Sequence, residues 1–141
     1  MVNRTINMII IHCAATKPDM DVGVKEITQW HKARGFFTIG YHYVIRRDGT
    51  LETGRDINLA GAHAIGYNEH SVGICLVGGI DDKGRPQNNF TDKQWATLKT
   101  LVKELVAKYK ITEIIGHNQV AKKACPCFSV PAWLKNNMEK V

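Results

Sequence analysis

Met8-Ile9-Ile10-Ile11-His12 and Gly116-His117-Asn118-Gln119-Val120-Ala121-Lys122-Lys123-Ala124-Cys125-Pro126-Cys127-Phe128, one near each end of the chain, decide the architecture when taken together. The first is apolar without alternation, the pattern of a strand covered on both faces, and it ends on a histidine. The second follows a strand-like Glu113-Ile114-Ile115-Gly116, opens on a histidine and brings a cysteine eight positions later (125 minus 117). Both histidines stand at the ends of predicted strands. Two such distant ends meet only when their strands are neighbours in one sheet, and in such sheets sites gather where strands end.

The stretches between supply the rest of that sheet and its cover. Ser71 to Val77 reads as another buried strand, closed by Gly78-Gly79. Tyr41 to Ile45 and Thr50 to Glu52 flank Arg46-Arg47-Asp48-Gly49, where Asp-Gly is a hairpin signal. Asp19 or Asp21 is placed to cap a helix with Val24, Ile27 and Trp30 on its apolar side and Gly35 as its stop. A longer helix starts after Phe90. There Thr91 and Gln94 hold the two capping-box positions, with Phe90 and Trp95 as the staple on either side. Trp95, Leu98, Leu101, Val102, Leu105, Val106 and Tyr109 then follow helical spacing. Pro131 suits the first turn of a short last helix. Strands interleaved with helices predict an α/β fold: one domain over residues 1–141, with a mixed central β-sheet flanked by helices on both faces.

A chain of 141 residues holds one domain with a real core and is too short for two ordinary ones. Apolar residues at 44% and charged residues at 23% argue against disorder. No stretch approaches the ~18 apolar residues of a membrane span. The apolar run before His12 falls short of the ~7–15 residues in a signal peptide's core, so the protein is expected in the cytoplasm before any release. Net charge is +6 (19 basic minus 13 acidic), which favours an anionic partner. Direct nucleic-acid binding is not expected, because the chain has no Gly-rich phosphate loop and no basic helix with interleaved aromatics. Nothing demands more than a monomer. Of the cysteines, 13 and 75 fall in strand-like runs while 125 and 127 flank a proline, which is no secreted disulfide framework and predicts free thiols.

Two imidazoles and a thiolate make a three-ligand zinc set with a fourth position left for water. His12, His117 and Cys125 are therefore the candidate ligands. An open site of this kind points to hydrolysis, since the ion lowers the pKa of its water towards about 7 and polarises a nearby carbonyl. A closed structural site would need a fourth ligand, and Cys127 is the candidate, although Pro126 restricts the chain between the two thiols. Cys13 follows His12 directly and on a strand faces the opposite side; it reads as core, as does Cys75. There is no His-Glu-x-x-His motif. No acidic residue adjoins a ligand in sequence, so no carboxylate base is assigned.

A succession of short motifs adds a family resemblance. It runs through Ile11-His12-Cys13-Ala14-Ala15-Thr16-Lys17-Pro18, Gln29-Trp30-His31-Lys32, Gly40-Tyr41-His42-Tyr43 and Arg47-Asp48-Gly49-Thr50. It continues with Gly54-Arg55-Asp56, His63-Ala64-Ile65-Gly66-Tyr67-Asn68, the stretch from Ser71 to Gly84, and Lys123-Ala124-Cys125-Pro126. In this order the chain resembles the zinc-dependent N-acetylmuramoyl-L-alanine amidases of type 2, especially the small amidase-type lysozymes of bacteriophages. It is more distantly similar to peptidoglycan recognition proteins. The likeness covers nearly the whole chain; each motif is weak and their succession is strong.

The resemblance implies that His12, His117 and Cys125 bind Zn2+ and that Tyr41 and Lys123 are the non-ligand catalytic residues. It implies an endolysin that hydrolyses the amide between N-acetylmuramic acid and the L-alanine of the stem peptide in bacterial peptidoglycan. Lys123 and Tyr41 are donors suited to the oxyanion of such a reaction. His63, in a Gly61-Ala62-His63 loop, and Asn68 are placed at the substrate groove, while His31, His42 and His70 are left as structural. Cys127 departs from the phage relatives, which carry a small polar residue there. Some of those relatives use a longer N-terminal arm to bind and inhibit the phage RNA polymerase, and here eleven residues precede His12. The alternative reading is a non-catalytic peptidoglycan- or RNA polymerase-binding regulator of the same fold. Inactive recognition relatives typically lack the cysteine ligand, which this chain has.

Overall fold

The computed structural model describes residues 4–138; the first and last three residues of the expected domain lie outside them. In chain order the elements are β1 (Met8–Cys13), α1 (Val24–Ala33), β2 (Tyr43–Ile45), β3 (Leu51–Thr53), β4 (Ser71–Leu76), α2 (Asp92–Lys108), β5 (Glu113–Gly116) and α3 (Val130–Asn137). One sheet runs β3-β2-β4-β1-β5. β1 lies parallel between β4 and β5, β2 is parallel to β4, and β2 pairs antiparallel with β3 in the expected hairpin. The sheet is mixed, and β1 lies in its interior with a parallel neighbour on each edge.

Alternation along β1 sorts the two faces. Ile9, Ile11 and Cys13 point into the larger core with Val72, Ile74 and Leu76 of β4, where α2 supplies Leu98, Leu101, Val102 and Leu105 and α3 supplies Trp133. A smaller core on the opposite face joins Val22, Ile27, Ile39, Val44, Cys75 and Val77. Helices therefore cover both faces, as the sequence predicts.

α2 begins as read: Thr91 Oγ1 accepts from the Gln94 N–H at 3.1 Å and Gln94 Oε1 accepts from the Thr91 N–H at 3.0 Å. Phe90 and Trp95 meet edge to face with centroids 5.6 Å apart. The Gln94 amide is itself buried and donates to the Ile45 and Val77 carbonyls, tying the helix start to the sheet.

α1 differs from expectation in its cap and in its buried face. Its N-cap is Gly23, not Asp19 or Asp21. The Gly23 N–H donates to Glu26 and the Val24 N–H donates to Glu52 of β3, both at 2.8 Å, while Asp21 pairs with Arg46 instead. Two carboxylates at the helix start suit the positive end of its dipole. The buried residues of α1 are Ile27 and His31, and Trp30 is 40% exposed. Strand β2 starts at Tyr43 rather than Tyr41, so Tyr41 precedes the ladder.

Candidate metal centre

Register places the first two ligands side by side. β1 and β5 run parallel with Ile11 opposite Gly116, so the next residues, His12 and His117, leave neighbouring strands together. Their ring centroids stand 4.5 Å apart. After His117 the chain makes a single turn, in which Gln119 Oε1 accepts from the Gly116 N–H at 2.8 Å, and it then doubles back toward β1. Cys125 arrives with its Sγ accepting from the Cys13 N–H at 3.2 Å. Ligand atoms of His12, His117 and Cys125 all lie within 4.8 Å of one another.

This donor set fits zinc. Around one tetrahedral ion, nitrogen and sulfur donors stand roughly 3.5 Å apart, and His12 Nδ1 is already 3.9 Å from Cys125 Sγ. Burial first, then the neighbouring His63 and His117, pushes the His12 pKa well below its usual value, and burial does the same for His117. Both imidazoles are neutral at pH 7, the form that carries a free lone pair. Cys127 does not complete the set. Its Sγ turns to Cys13, 3.9 Å away, and no fourth His, Cys, Asp or Glu joins the three among the described residues. Among the described residues the candidate set is therefore three donors.

His63 lies behind the ligands as well as on the groove wall where the sequence reading placed it. Its Nδ1 is 2.8 Å from His12 Nε2 and its Nε2 is 3.2 Å from Ser71 Oγ. With His12 Nδ1 left unprotonated as a ligand atom would be, its Nε2–H would donate to His63 Nδ1 and the His63 Nε2–H to Ser71. The imidazole rests on β4 at Gly73, where a Cβ would come within 2.7 Å of the ring; glycine is what allows that approach. Asn68 also lines the groove, but its Oδ1 accepts from the His63 and Ala64 N–H groups at 3.0 Å each, so it holds the loop that carries His63.

His31 is not on an exposed helix face. It is buried, accepts from the Gly40 N–H through Nδ1 at 2.9 Å, and packs against Tyr41 with ring centroids 5.3 Å apart. His42 is buried and His70 exposed, and both bond to backbone: His42 Nδ1 accepts from the Gly73 N–H and its Nε2–H donates to the Leu59 carbonyl.

A groove of about 250 Å³ opens over His117 and Cys125, lined also by His31, Arg34, Tyr41, His63 and Lys123 among others. Tyr41 stands against His12, ring centroids 5.0 Å apart, and burial raises its phenol pKa well above the usual value. Lys123 is exposed on the rim. A continuous second hollow adds Ile65 and Asn68 to walls it shares with the first. Among the described residues no carboxylate lines either wall, and the cations Arg34 and Lys123 line both. Arg34 and Phe36 were not singled out in the sequence; the only local signal is Gly35, which ends α1 and turns both residues to the groove. All five residues expected at ligand and catalytic positions thus come together.

The profile of the family described as N-acetylmuramoyl-L-alanine amidase matches residues 2–128. Among curated relatives, the endolysin of Escherichia phage T7 is 52% identical over 134 residues, 95% of this chain and 89% of that protein. Peptidoglycan-recognition protein SC2 of Drosophila simulans is 31% identical over 86% of this chain and 68% of its own. Among solved structures, N-acetylmuramoyl-L-alanine amidase LysC from Clostridium intestinale URNW superposes with a TM-score of 0.81 at 33% identity, covering 95% of this chain and 86% of that one.

Proposed function

The chain belongs to the N-acetylmuramoyl-L-alanine amidase family, and from that premise we propose that its reaction runs at a zinc ion held by His12, His117 and Cys125, with Tyr41 and Lys123 as the catalytic side chains. It is a peptidoglycan amidase of the endolysin type, and the bond it hydrolyses joins N-acetylmuramic acid to the L-alanine of the stem peptide. The observation that carries the zinc reading is the convergence of three donors from two strand ends and one loop within 4.8 Å.

Bound there, the ion supplies Lewis acidity toward an amide oxygen and a lowered pKa for a water. The protein supplies the rest. His12 and His117 present neutral imidazoles, and the Cys13 N–H fixes the sulfur of Cys125. Tyr41 keeps its proton at neutral pH, because burial disfavours the phenolate, and so offers an O–H beside the ligands. Lys123 brings an ammonium to the rim, where negative charge developing on the amide oxygen gives it a partner. The departing amine of L-alanine needs a proton. No carboxylate lines the groove among the described residues, and this proton is assigned to Tyr41 or Lys123, both of which line it. Arg34 and Lys123 make the groove attractive to the carboxylates of a stem peptide.

Mass spectrometry of digested peptidoglycan tests the reaction. Free stem peptides beginning with L-alanine, released from intact glycan, are expected; glycan fragments or cuts inside the peptide would refute it. Chelator-treated protein should regain activity with zinc and not with magnesium.

A further inference from the structure

We propose that Cys13 and Cys127 form a dithiol site that a small disulfide, such as oxidised glutathione, closes into an intramolecular disulfide, clipping together the two segments that carry the metal ligands. All four cysteines are free thiols, and each has a distinct place. Cys75 is buried in the smaller core on the face away from Cys13. Cys125 belongs with His12 and His117. The remaining two have their sulfurs 3.9 Å apart although they are 114 positions apart in the chain. Gly79 makes room for this pair: a Cβ there would lie 2.7 Å from Cys13 Sγ and 3.7 Å from Cys127 Sγ. Its φ of +105° is one that favours glycine. A disulfide needs the sulfurs to approach to about 2.05 Å, a closure of roughly 1.9 Å that side-chain rotation at two flexible thiols can supply.

The order of events follows from exposure. Cys127 is partly exposed, whereas Cys13 is 4% exposed and sheltered from an external reagent. The Cys127 sulfur attacks the small disulfide, forming a mixed disulfide and releasing one small thiol. Cys13 Sγ then attacks Cys127 Sγ, forming the protein disulfide and releasing the second small thiol. Two protein thiols are oxidised, one external disulfide is reduced to two thiols, and the two protons pass to those leaving groups. Cys13 is the neighbour of His12 and Cys127 stands two residues after Cys125, so the new bond fastens the ligand loop to the end of β1. Closing so long a loop restricts the unfolded chain and favours the folded one.

The test incubates the purified, zinc-supplemented protein with oxidised glutathione and reads intact mass, free-thiol count after denaturation in chelator, and a non-reducing peptide map. Expected are a mass loss of about 2 Da, two titratable thiols in place of four, a peptide joining Cys13 to Cys127, and a raised thermal midpoint that reductant reverses. Cys127→Ser should remove the cross-link, and Cys13→Ala should leave glutathione attached at Cys127. A link through Cys125, a stable mixed disulfide at Cys127 in the unmutated chain, or four unreacted thiols would each overturn the proposal.

Discussion

Removing the imidazole of His63 should weaken zinc binding without unfolding the protein. His12 Nε2 lies 2.8 Å from His63 Nδ1, and His12 is 1% exposed, so no bulk water stands ready to replace that bond. In His63→Leu the ligand keeps roughly its packing volume but its outer N–H loses the acceptor. An unsatisfied buried donor costs about 1–3 kcal/mol. Part of that cost is specific to the metal-loaded state, because a ring fixed by an ion on Nδ1 cannot turn to find another partner. Losing the outer partner of a metal-bound histidine typically weakens the metal about 10–100-fold. We therefore expect the zinc dissociation constant of His63→Leu to rise by about 10–100-fold. Ser71→Ala, which removes the next link at 3.2 Å, should change it only a few-fold.

Competition against a chromophoric chelator at pH 7.5 measures the constant directly, with circular dichroism confirming the fold. Steady-state rates at saturating zinc separate the two roles open to His63, which also lines the groove. A folded His63→Leu variant with an unchanged zinc constant and a raised KM would refute the reasoning and make His63 a substrate contact alone.

Cys125→Ser should strip the metal and abolish wall lysis, whereas Cys127→Ser should leave both intact under reducing conditions; metal content by atomic absorption and a turbidity assay decide between the thiols. Lys123→Ala should keep zinc within a few-fold and lose about 10²–10³ in rate, the usual loss when one oxyanion donor is removed; an unchanged rate would take Lys123 out of the mechanism. Burial pulls the His42 pKa down to about 4 from 6.5. The unfolded chain thus binds the proton first, and stability present above pH 6.5 is lost as pH falls toward 4, by about 3 kcal/mol. Urea unfolding at pH 7.5 and 4.5 should show a smaller pH effect in His42→Gln than in the unmutated protein, and equal effects would refute the assignment.

What was legible in the sequence was whatever local spacing or strand logic determines. The Thr91/Gln94 box and the stripe that follows it set the start and face of α2, and the apolar run of β5 ends at Gly116 as read. The meeting of His12 and His117 was legible for the same reason, since a strand end is a position that sequence can locate, whereas Cys125 reaches them on a loop. What was missed depends on distant partners. The start of α1 is held partly by Glu52, a residue 28 positions on in a different strand, and no window around Asp19 or Asp21 contains that information. Trp30 has the spacing of a buried residue and His31 does not. The groove inverts them, because the Gly40 N–H needs the His31 ring as acceptor. Arg47 reads as a turn residue yet donates to the carbonyls of Pro18, Val77 and Asn89 and to the Gln94 side chain.

The same logic explains why chemistry and core share one strand here. Alternation gives His12 to one face of the sheet and Cys13 to the other. On the His12 face, β4 contributes Ser71, Gly73 and Cys75 in register with Met8, Ile10 and His12. That row grades from a hydroxyl that receives His63, through a glycine that seats its ring, to a small thiol beside Tyr41. A larger side chain at residue 73 would push His63 off His12, and a larger one at 75 would press on Tyr41. The groove thus rests on three small residues of a neighbouring strand, none of which touches the proposed ion. Their identities read in the sequence as an ordinary buried strand, because the demand for smallness comes from the loop folded over them.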